Sequence, residues 1–227
     1  MGGLVSGYGD VRMNIVVSGT SSGIGQAIAL HFAEAGHLVH GIDLCDATIT
    51  HPRYTHHVCD IRDELPGGLP DPEIVINSAG TLEEADAIAV NLEGAMRFVE
   101  HFCNSPSLRS VLFIASASAR NGAEFSRYVA SKAGIVGFMK NLALQLADRG
   151  VTCNSISPGG VITPANRHIL ESDELYAAVR AETLLGKWAH PSEIADLAYY
   201  LTVVNRSITG EDILVDNGEM LKSNFIW

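Results

Sequence analysis

"NIVVSGTSSGIGQAIALHFAEAG", residues 14–36, decides how the rest of the chain is read. Asn14 to Ser18 is a short β-branched run that halts at Gly19, the pattern of a buried strand. Apolar residues then recur at helical spacing, and Gly36 supplies a stop. Between strand and helix, Gly19, Gly23 and Gly25 are spaced G-x-x-x-G-x-G. Glycine takes the backbone angles of a tight turn and lets a phosphate approach bare amides. The helix start offers such an anion unpaired N–H groups and a positive dipole end. Thr20, Ser21 and Ser22 add hydroxyl donors. A glycine triplet alone is a weak signal; directly after a first strand and before a helix it is a strong one.

Outward from this unit the same alternation continues. "LVHGI" (38–42), "YTHHV" (54–58), "EIVIN" (73–77), "SVLFIAS" (110–116), "VTCNSIS" (151–157) and "DILVD" (212–216) read as further strands. Helix-like segments lie at 84–104, 126–148 and 192–202, the last opened by Pro191. Alternating strands and helices imply right-handed crossovers and a parallel sheet covered on both faces. The expected fold is α/β: a single doubly wound Rossmann-like domain over residues 13–227, with a parallel seven-stranded sheet. Residues 1–12, Gly-rich and polar, are expected to be a flexible leader or expression remnant outside it. Such sheets bind ligands at the carboxyl ends of their strands. The loops after Ser18, Ile42, Val58, Asn77, Ser116 and Ser157 should therefore share one rim.

Composition narrows the partners. The chain has 227 residues and a formal charge of -11, which argues against nucleic acid or an anionic membrane. No apolar run approaches a membrane span, and no signal-peptide core opens the chain. Cys45, Cys59, Cys103 and Cys153 show no metal-ligand spacing, so no metal site is expected. They read as small buried hydrophobes in a reducing cytoplasm.

The rim carries several candidates. Asp43, with Leu44 after it, ends the second strand, where a carboxylate can bind both ribose hydroxyls of an adenosine. It would also repel a 2′-phosphate, and no Arg or Lys stands near in sequence to reverse that, so Asp43 favours NAD over NADP. Asp60 and Ile61 follow the third strand and could flank the adenine, although Asp60 reads equally well as a turn residue. Asn77, Ser78, Ala79 and Gly80 close the fourth strand; Asn77 either braces neighbouring strands or touches ligand. Tyr128 and Lys132 stand one helical turn apart with only small residues between, so they share a helix face. That pair is an ordinary surface pair or a phenol whose proton a neighbouring ammonium loosens.

Taken in order, Gly19-Thr20-Ser21-Ser22-Gly23-Ile24-Gly25, Asn77-Ser78-Ala79-Gly80, Asn91, Ser116, Tyr128-x-x-x-Lys132 and Pro158-Gly159 resemble the signature of the short-chain dehydrogenase/reductase family. The resemblance runs from about Met13 to Met220. It implies that Tyr128 is the general acid/base, that Lys132 favours the phenolate and holds the nicotinamide ribose, and that Ser116 steadies the substrate oxygen. It implies that Asn91 holds a relay water. Pro158, Gly159, Val161 and Thr163 would lie near the nicotinamide. Ser116 stands one position closer to Tyr128 than the family's usual spacing; Ser118 is the competitor, and aligning the strand favours Ser116.

The resemblance implies an NAD(H)-dependent oxidoreductase acting on a secondary alcohol/ketone pair. The alternative is a catalytically idle NAD(H)-binding sensor or scaffold, which need not keep the Ser-Tyr-Lys-Asn set. Two departures shorten the chain. Pro66, Pro70 and Pro72 break the usual crossover helix between Asp60 and Asn77, and the stretch from Gly80 to Asn91 is also short. The tail is somewhat similar to dihydrodiol and dihydroxybenzoate dehydrogenases. Residues 164–187 read as a substrate lid, where Arg167, His168 or Arg180 could hold an anionic group. Asn121, Gly122 and Phe125 are expected on the opposite wall. Phe225 and Trp227 are expected to pack on a neighbouring subunit or near a pocket, and the assembly is expected to be a homotetramer or homodimer.

Overall fold

Burial on both faces is what the apolar strands demand, and the chain arranges two layers of helices to supply it. The computed structural model describes residues 12–222. Strands β1 (Asn14–Ser18), β2 (Leu38–Asp43), β3 (Tyr54–Val58), β4 (Ile74–Asn77), β5 (Ser110–Ile114), β6 (Thr152–Pro158) and β7 (Asp212–Val215) form one parallel sheet of seven. Their order is β3-β2-β1-β4-β5-β6-β7. The order reverses between β1 and β4, where Ser18 pairs with Asn77. That reversal opens the crevice in which doubly wound sheets bind ligands.

Alternation along each strand sends side chains to opposite faces. Val16, Val75, Val111 and Phe113 point to one core, Ile15, Val17, Ile74, Ile76 and Leu112 to the other. Helix α1 (Gly23–Glu34) covers the second face with Ile28, Ala29 and Phe32. Helix α2 (Ala95–Phe102) covers the first with Phe98, Val99 and Phe102. After the short α3 (Ser118–Asn121), the long α4 (Ser126–Leu146) adds Ile135, Met139 and Leu142 to that first face. Two lid helices follow, α5 (Arg167–Leu170) and α6 (Asp173–Ala181). Helix α7 (Pro191–Tyr199) completes the second face; Pro191 sets its first turn, and His190 and Glu193 form a reciprocal cap. Phe113 is fully buried, and truncating such a ring to alanine costs about 3–5 kcal/mol.

Local details differ from the sequence reading in instructive ways. The helix expected over 84–104 starts later, as a wide π turn over Ala89–Gly94 that runs into α2. The helix expected over 192–202 likewise ends in a π turn, Tyr200–Val204. No helix forms between β3 and β4, as the prolines dictate, and buried Ile61 and Leu65 fill the space. All four cysteines are free. Cys153 is buried, but Cys45 is exposed, contrary to the expectation, because it sits in the loop after β2 rather than in the core. No helix among the described residues is long and apolar enough to cross a membrane. The expectations for residues 1–11, Phe225 and Trp227 fall outside the described residues.

Candidate active site

The glycine loop is shaped by close approach. Gly19 has φ 76°, and a Cβ on it would lie 2.7 Å from the Ala79 backbone. A Cβ on Gly25 would lie 2.1 Å from the Gly19 carbonyl oxygen, so the first turn of α1 packs directly on the loop. The start of α1 has no side-chain cap, which leaves its N–H groups facing outward. Ser18 Oγ knits β1 to β4 by accepting from Asn77 Nδ2 at 3.0 Å, Ser78 N–H at 3.2 Å and Ala79 N–H at 3.1 Å. Of the two readings open for Asn77, bracing is the one these bonds express; it is buried and does not line the cavity.

Asp43 closes the loop after β2. Its carboxylate accepts from Ser21 N–H and Cys45 N–H, both at 2.9 Å. Ser21 Oγ donates to the Asp46 carbonyl at 3.0 Å. Beneath it, a chain of polar groups runs from Thr20 Oγ1 to Tyr54 OH at 2.8 Å, on to His56 Nδ1 at 2.7 Å, and from His56 Nε2 to the Cys45 carbonyl at 2.8 Å. Leu44 is exposed. Asp60 holds its own turn, accepting from Arg62 N–H at 2.8 Å and pairing with the Arg62 guanidinium at 2.7 Å. Ile61 is buried in the core.

A cavity of about 590 Å³ opens at the carboxyl ends of the strands. It gathers Ser22, Gly23, Ile24 and Gly25 from the first loop, Ser78 and Gly80 after β4, and Ser116 after β5. Tyr128 and Lys132 reach it from α4, and Pro158, Gly159, Val161 and Thr163 from the end of β6 and beyond. Asn121 and Phe125 line the same cavity, while Gly122 does not. Of the loops expected to share one rim, those after Ser18, Asn77, Ser116 and Ser157 line this cavity, while Asp43, Leu44, Asp60 and Ile61, after the second and third strands, do not.

Within it, Lys132 is buried and donates from Nζ to the Ile114 carbonyl at 3.0 Å. Burial lowers its pKa to about 8, opposed by the Glu124 carboxylate. Nζ stands 5.7 Å from the Tyr128 ring centroid. Burial pushes the Tyr128 phenol above its ordinary value; a hydrogen bond with Ser116 pulls it back and the Glu124 charge raises it. Desolvation, not the neighbouring Lys132, dominates the Tyr128 phenol, contrary to the lowering expected from the Tyr-Lys pair. Ser116 Oγ accepts from Ser118 Oγ at 2.8 Å, so the two competing serines act as a pair, with Ser116 the one whose hydroxyl pulls the Tyr128 phenol down.

Asn91 sits in the π turn that precedes α2. Its Oδ1 accepts from Thr81 N–H at 2.7 Å, and its Nδ2 donates to the Thr81 carbonyl at 2.9 Å and to Ser131 Oγ at 3.2 Å. Ser131 Oγ donates to the Tyr128 carbonyl at 2.7 Å. Asn91 is therefore linked to the Tyr-Lys helix, and widened turns of this kind recur at functional sites. Sequence reasoning missed Glu124 and Glu219, which also line the cavity. Glu124 has φ 85°, a left-handed conformation unusual outside glycine, and no sequence signal marks it beyond the neighbouring Gly122.

The residues present fit a dinucleotide. The glycine cradle admits no Cβ at Gly19 or Gly25, the helix start is uncapped, and Thr163 packs its methyl against Gly23, where a Cβ would stand 3.4 Å away. Among the described residues, no group of His, Cys, Asp or Glu is arranged to hold a metal ion.

Comparison with known proteins places this architecture. The family model described as Enoyl-(Acyl carrier protein) reductase matches residues 75–219. The chain is 30% identical to an uncharacterized short-chain type dehydrogenase/reductase, y4vI, of Sinorhizobium fredii, over 91% of this chain and 43% of that one. It thus spans less than half the length of that relative. It is 30% identical to 2,3-dihydro-2,3-dihydroxybenzoate dehydrogenase of Escherichia coli, over 92% of this chain and 97% of the relative. Among solved structures, the ligand-free aldohexose dehydrogenase of Thermoplasma acidophilum superposes with a TM-score of 0.84 at 24% identity, covering 95% of this chain and 97% of that one, a likeness of fold. With its glycine loop, seven-stranded sheet and Tyr-Lys helix in one frame, the chain belongs to the short-chain dehydrogenase/reductase family of oxidoreductases.

Proposed function

We propose that the protein is an NAD(H)-dependent oxidoreductase that interconverts a secondary alcohol and a ketone, with Tyr128 as general acid/base. The observation that carries this reading is the convergence of Ser116, Tyr128 and Lys132 on one cavity with the glycine loop at its other end. The pyrophosphate would rest on Gly19, Ser21, Ser22, Gly23, Ile24 and Gly25. Asp43 would take the adenosine ribose, and Pro158, Gly159, Val161 and Thr163 would border the nicotinamide. Bound there, nicotinamide supplies or accepts the hydride.

The chain's own residues handle the proton. Ser116 orients the substrate oxygen, and its hydroxyl lowers the Tyr128 phenol against the effect of burial. Tyr128 donates its phenolic proton to the oxygen of a ketone under reduction, or accepts the hydroxyl proton of an alcohol under oxidation. Its raised pKa suits the protonated, donating form. Lys132 stands nearby at a pKa of about 8, within reach of neutral operation as a proton carrier. Asn91, bonded to Thr81 and Ser131, would position the relay that reloads it.

Titration of the purified protein with NADH and NADPH by fluorescence, followed by turnover on a panel of ketones, sugars and cyclic diols, tests the proposal. Tighter binding of NADH and hydride transfer to a ketone are expected. Binding of neither dinucleotide would sink it. Binding without turnover on any substrate would favour a sensor.

A further inference from the structure

We propose that Tyr54 and His56 are positioning residues for the adenosine end of the dinucleotide, closing a ring of hydrogen bonds that locks Asp43 and the glycine loop into one unit. This rests on the dinucleotide reading of the site and deepens it by two residues. Both stand on β3, two positions apart, and so point to the same face of the strand. From there they bridge the two loops that would embrace the adenosine. The Tyr54 hydroxyl meets Thr20 Oγ1 of the glycine loop at 2.8 Å and His56 Nδ1 at 2.7 Å. His56 Nε2 meets the carbonyl of Cys45, in the loop after β2, at 2.8 Å. Cys45 N–H donates to Asp43 Oδ1 and Ser21 N–H to Asp43 Oδ2, both at 2.9 Å. Ser21 follows Thr20 in the chain, so the circuit is complete.

The direction of each bond follows from chemistry. A carbonyl oxygen only accepts, so neutral His56 carries its hydrogen on Nε2 and keeps Nδ1 as an acceptor. The Tyr54 hydroxyl therefore donates to His56 and accepts from Thr20. The fit is close: a Cβ on Gly41 would lie 2.2 Å from the Tyr54 oxygen and 2.5 Å from Thr20 Oγ1, so the pair rests on the bare backbone of β2. Thr20 is fully buried. Thr48 Oγ1 tightens the same junction by donating to the Ser21 carbonyl at 2.9 Å. Each such bond adds little net stability, but a satisfied polar network fixes geometry. What it fixes here is Asp43. Amides take two of the roughly four lone-pair sites of its carboxylate, which leaves the others for ribose hydroxyls. Sheet order keeps the ring away from the chemistry: β2 and β3 lie on one side of β1, and β4, β5 and the loop bearing Ser116 on the other. Neither Tyr54 nor His56 lines the cavity that holds Tyr128 and Lys132.

Tyr54→Phe and His56→Leu each open the ring. His57→Leu is the control, since His57 faces the other way on the same strand and bonds His40 at 3.2 Å. Dissociation constants are measured for NADH by fluorescence and for adenosine diphosphate ribose, which lacks the nicotinamide, by calorimetry. Both ring variants should weaken both ligands about fivefold, as loss of one such hydrogen bond implies, with kcat for ketone reduction at saturating NADH held within about twofold. The double variant should cost about as much as the larger single one, because either change opens the same ring. His56→Gln, which keeps a donor and an acceptor, should recover part of the loss. Unchanged binding in both ring variants, or a loss that His57→Leu reproduces or kcat shares in equal measure, would overturn the inference. Weaker binding of adenosine diphosphate ribose in both, in a protein that transfers no hydride, would fail the oxidoreductase reading and leave the ring standing. A wild-type protein that binds neither ligand would overturn both.

Discussion

Asn91 Oδ1 and Lys132 Nζ close on the same point above Gly80: a methyl carbon there would lie 3.1 Å from the first and 3.4 Å from the second. Gly80→Ala would therefore displace both groups by a few tenths of an ångström. Small misplacement near reacting atoms is costly, so kcat is expected to fall roughly tenfold to hundredfold. The melting temperature should change little, because the shift required is only a few tenths of an ångström. Steady-state kinetics beside a thermal melt would check this; a large melting change with intact kcat would contradict it.

Tyr128→Phe removes only the phenolic oxygen. Loss of a positioned acid/base typically costs about 10²–10⁴ in rate. Turnover should fall by that much while the NADH dissociation constant holds within about twofold. Fluorescence titration of the variant separates the two, and equal loss of both would assign the tyrosine to structure instead.

The buried Lys132 also shapes stability against pH. Its pKa falls from 10.5 in the unfolded chain to about 8 in the fold. Between those values the unfolded state binds more protons, so Lys132 costs stability below pH 8 and the cost fades as pH rises toward 10.5. The full effect is about 3 kcal/mol at most. Lys132→Met removes the charge at similar volume, and relative to wild type it should be most stabilised at pH 7 and lose that advantage by pH 10. Urea denaturation at the two pH values measures the difference directly.

Asp43→Asn keeps an acceptor for one of the two amides, Ser21 or Cys45, and removes the negative charge. The ratio of kcat/KM for NADH over NADPH should drop by about tenfold, since a carboxylate no longer faces a 2′-phosphate. An unchanged ratio would refute the role proposed for Asp43.

The outward face of α4 exposes the small residues Ala130, Ala133 and Gly137, and Leu144 is 77% exposed. A face of this kind suits pairing with a second copy. Light scattering on a sizing column should report a dimer or tetramer; a monomer would contradict the expectation.

The fold was legible because six of the seven strands are short, largely apolar runs, and β3 (YTHHV), the exception, is a weaker, partly exposed one at the sheet edge. The glycine loop and the Tyr128–Lys132 spacing were legible for the same reason: each is a local pattern on one element. What escaped was non-local. Glu124 and Glu219 line one cavity from distant positions in the chain, and no spacing links them. The balance at Tyr128 also escaped, because desolvation depends on everything packed around the ring. The π turn at Asn91 follows from a side chain gripping the Thr81 backbone, which periodicity does not encode.

The connection between β3 and β4 carries no helix, and this bears on how the chain reaches its native state. Strand β1 pairs with β2 soon after both are made, but its other edge waits for β4, with Asn77 reaching back to Ser18 across a separation of 59 residues. Until then an apolar strand edge lies open to other chains. At synthesis speeds of about 5–20 residues per second, each residue omitted from that connection shortens the exposure, while the entropy saved by the shorter loop is only a few tenths of a kcal/mol. The pruned crossover therefore matters more to nascent-chain aggregation than to the equilibrium stability of the finished domain.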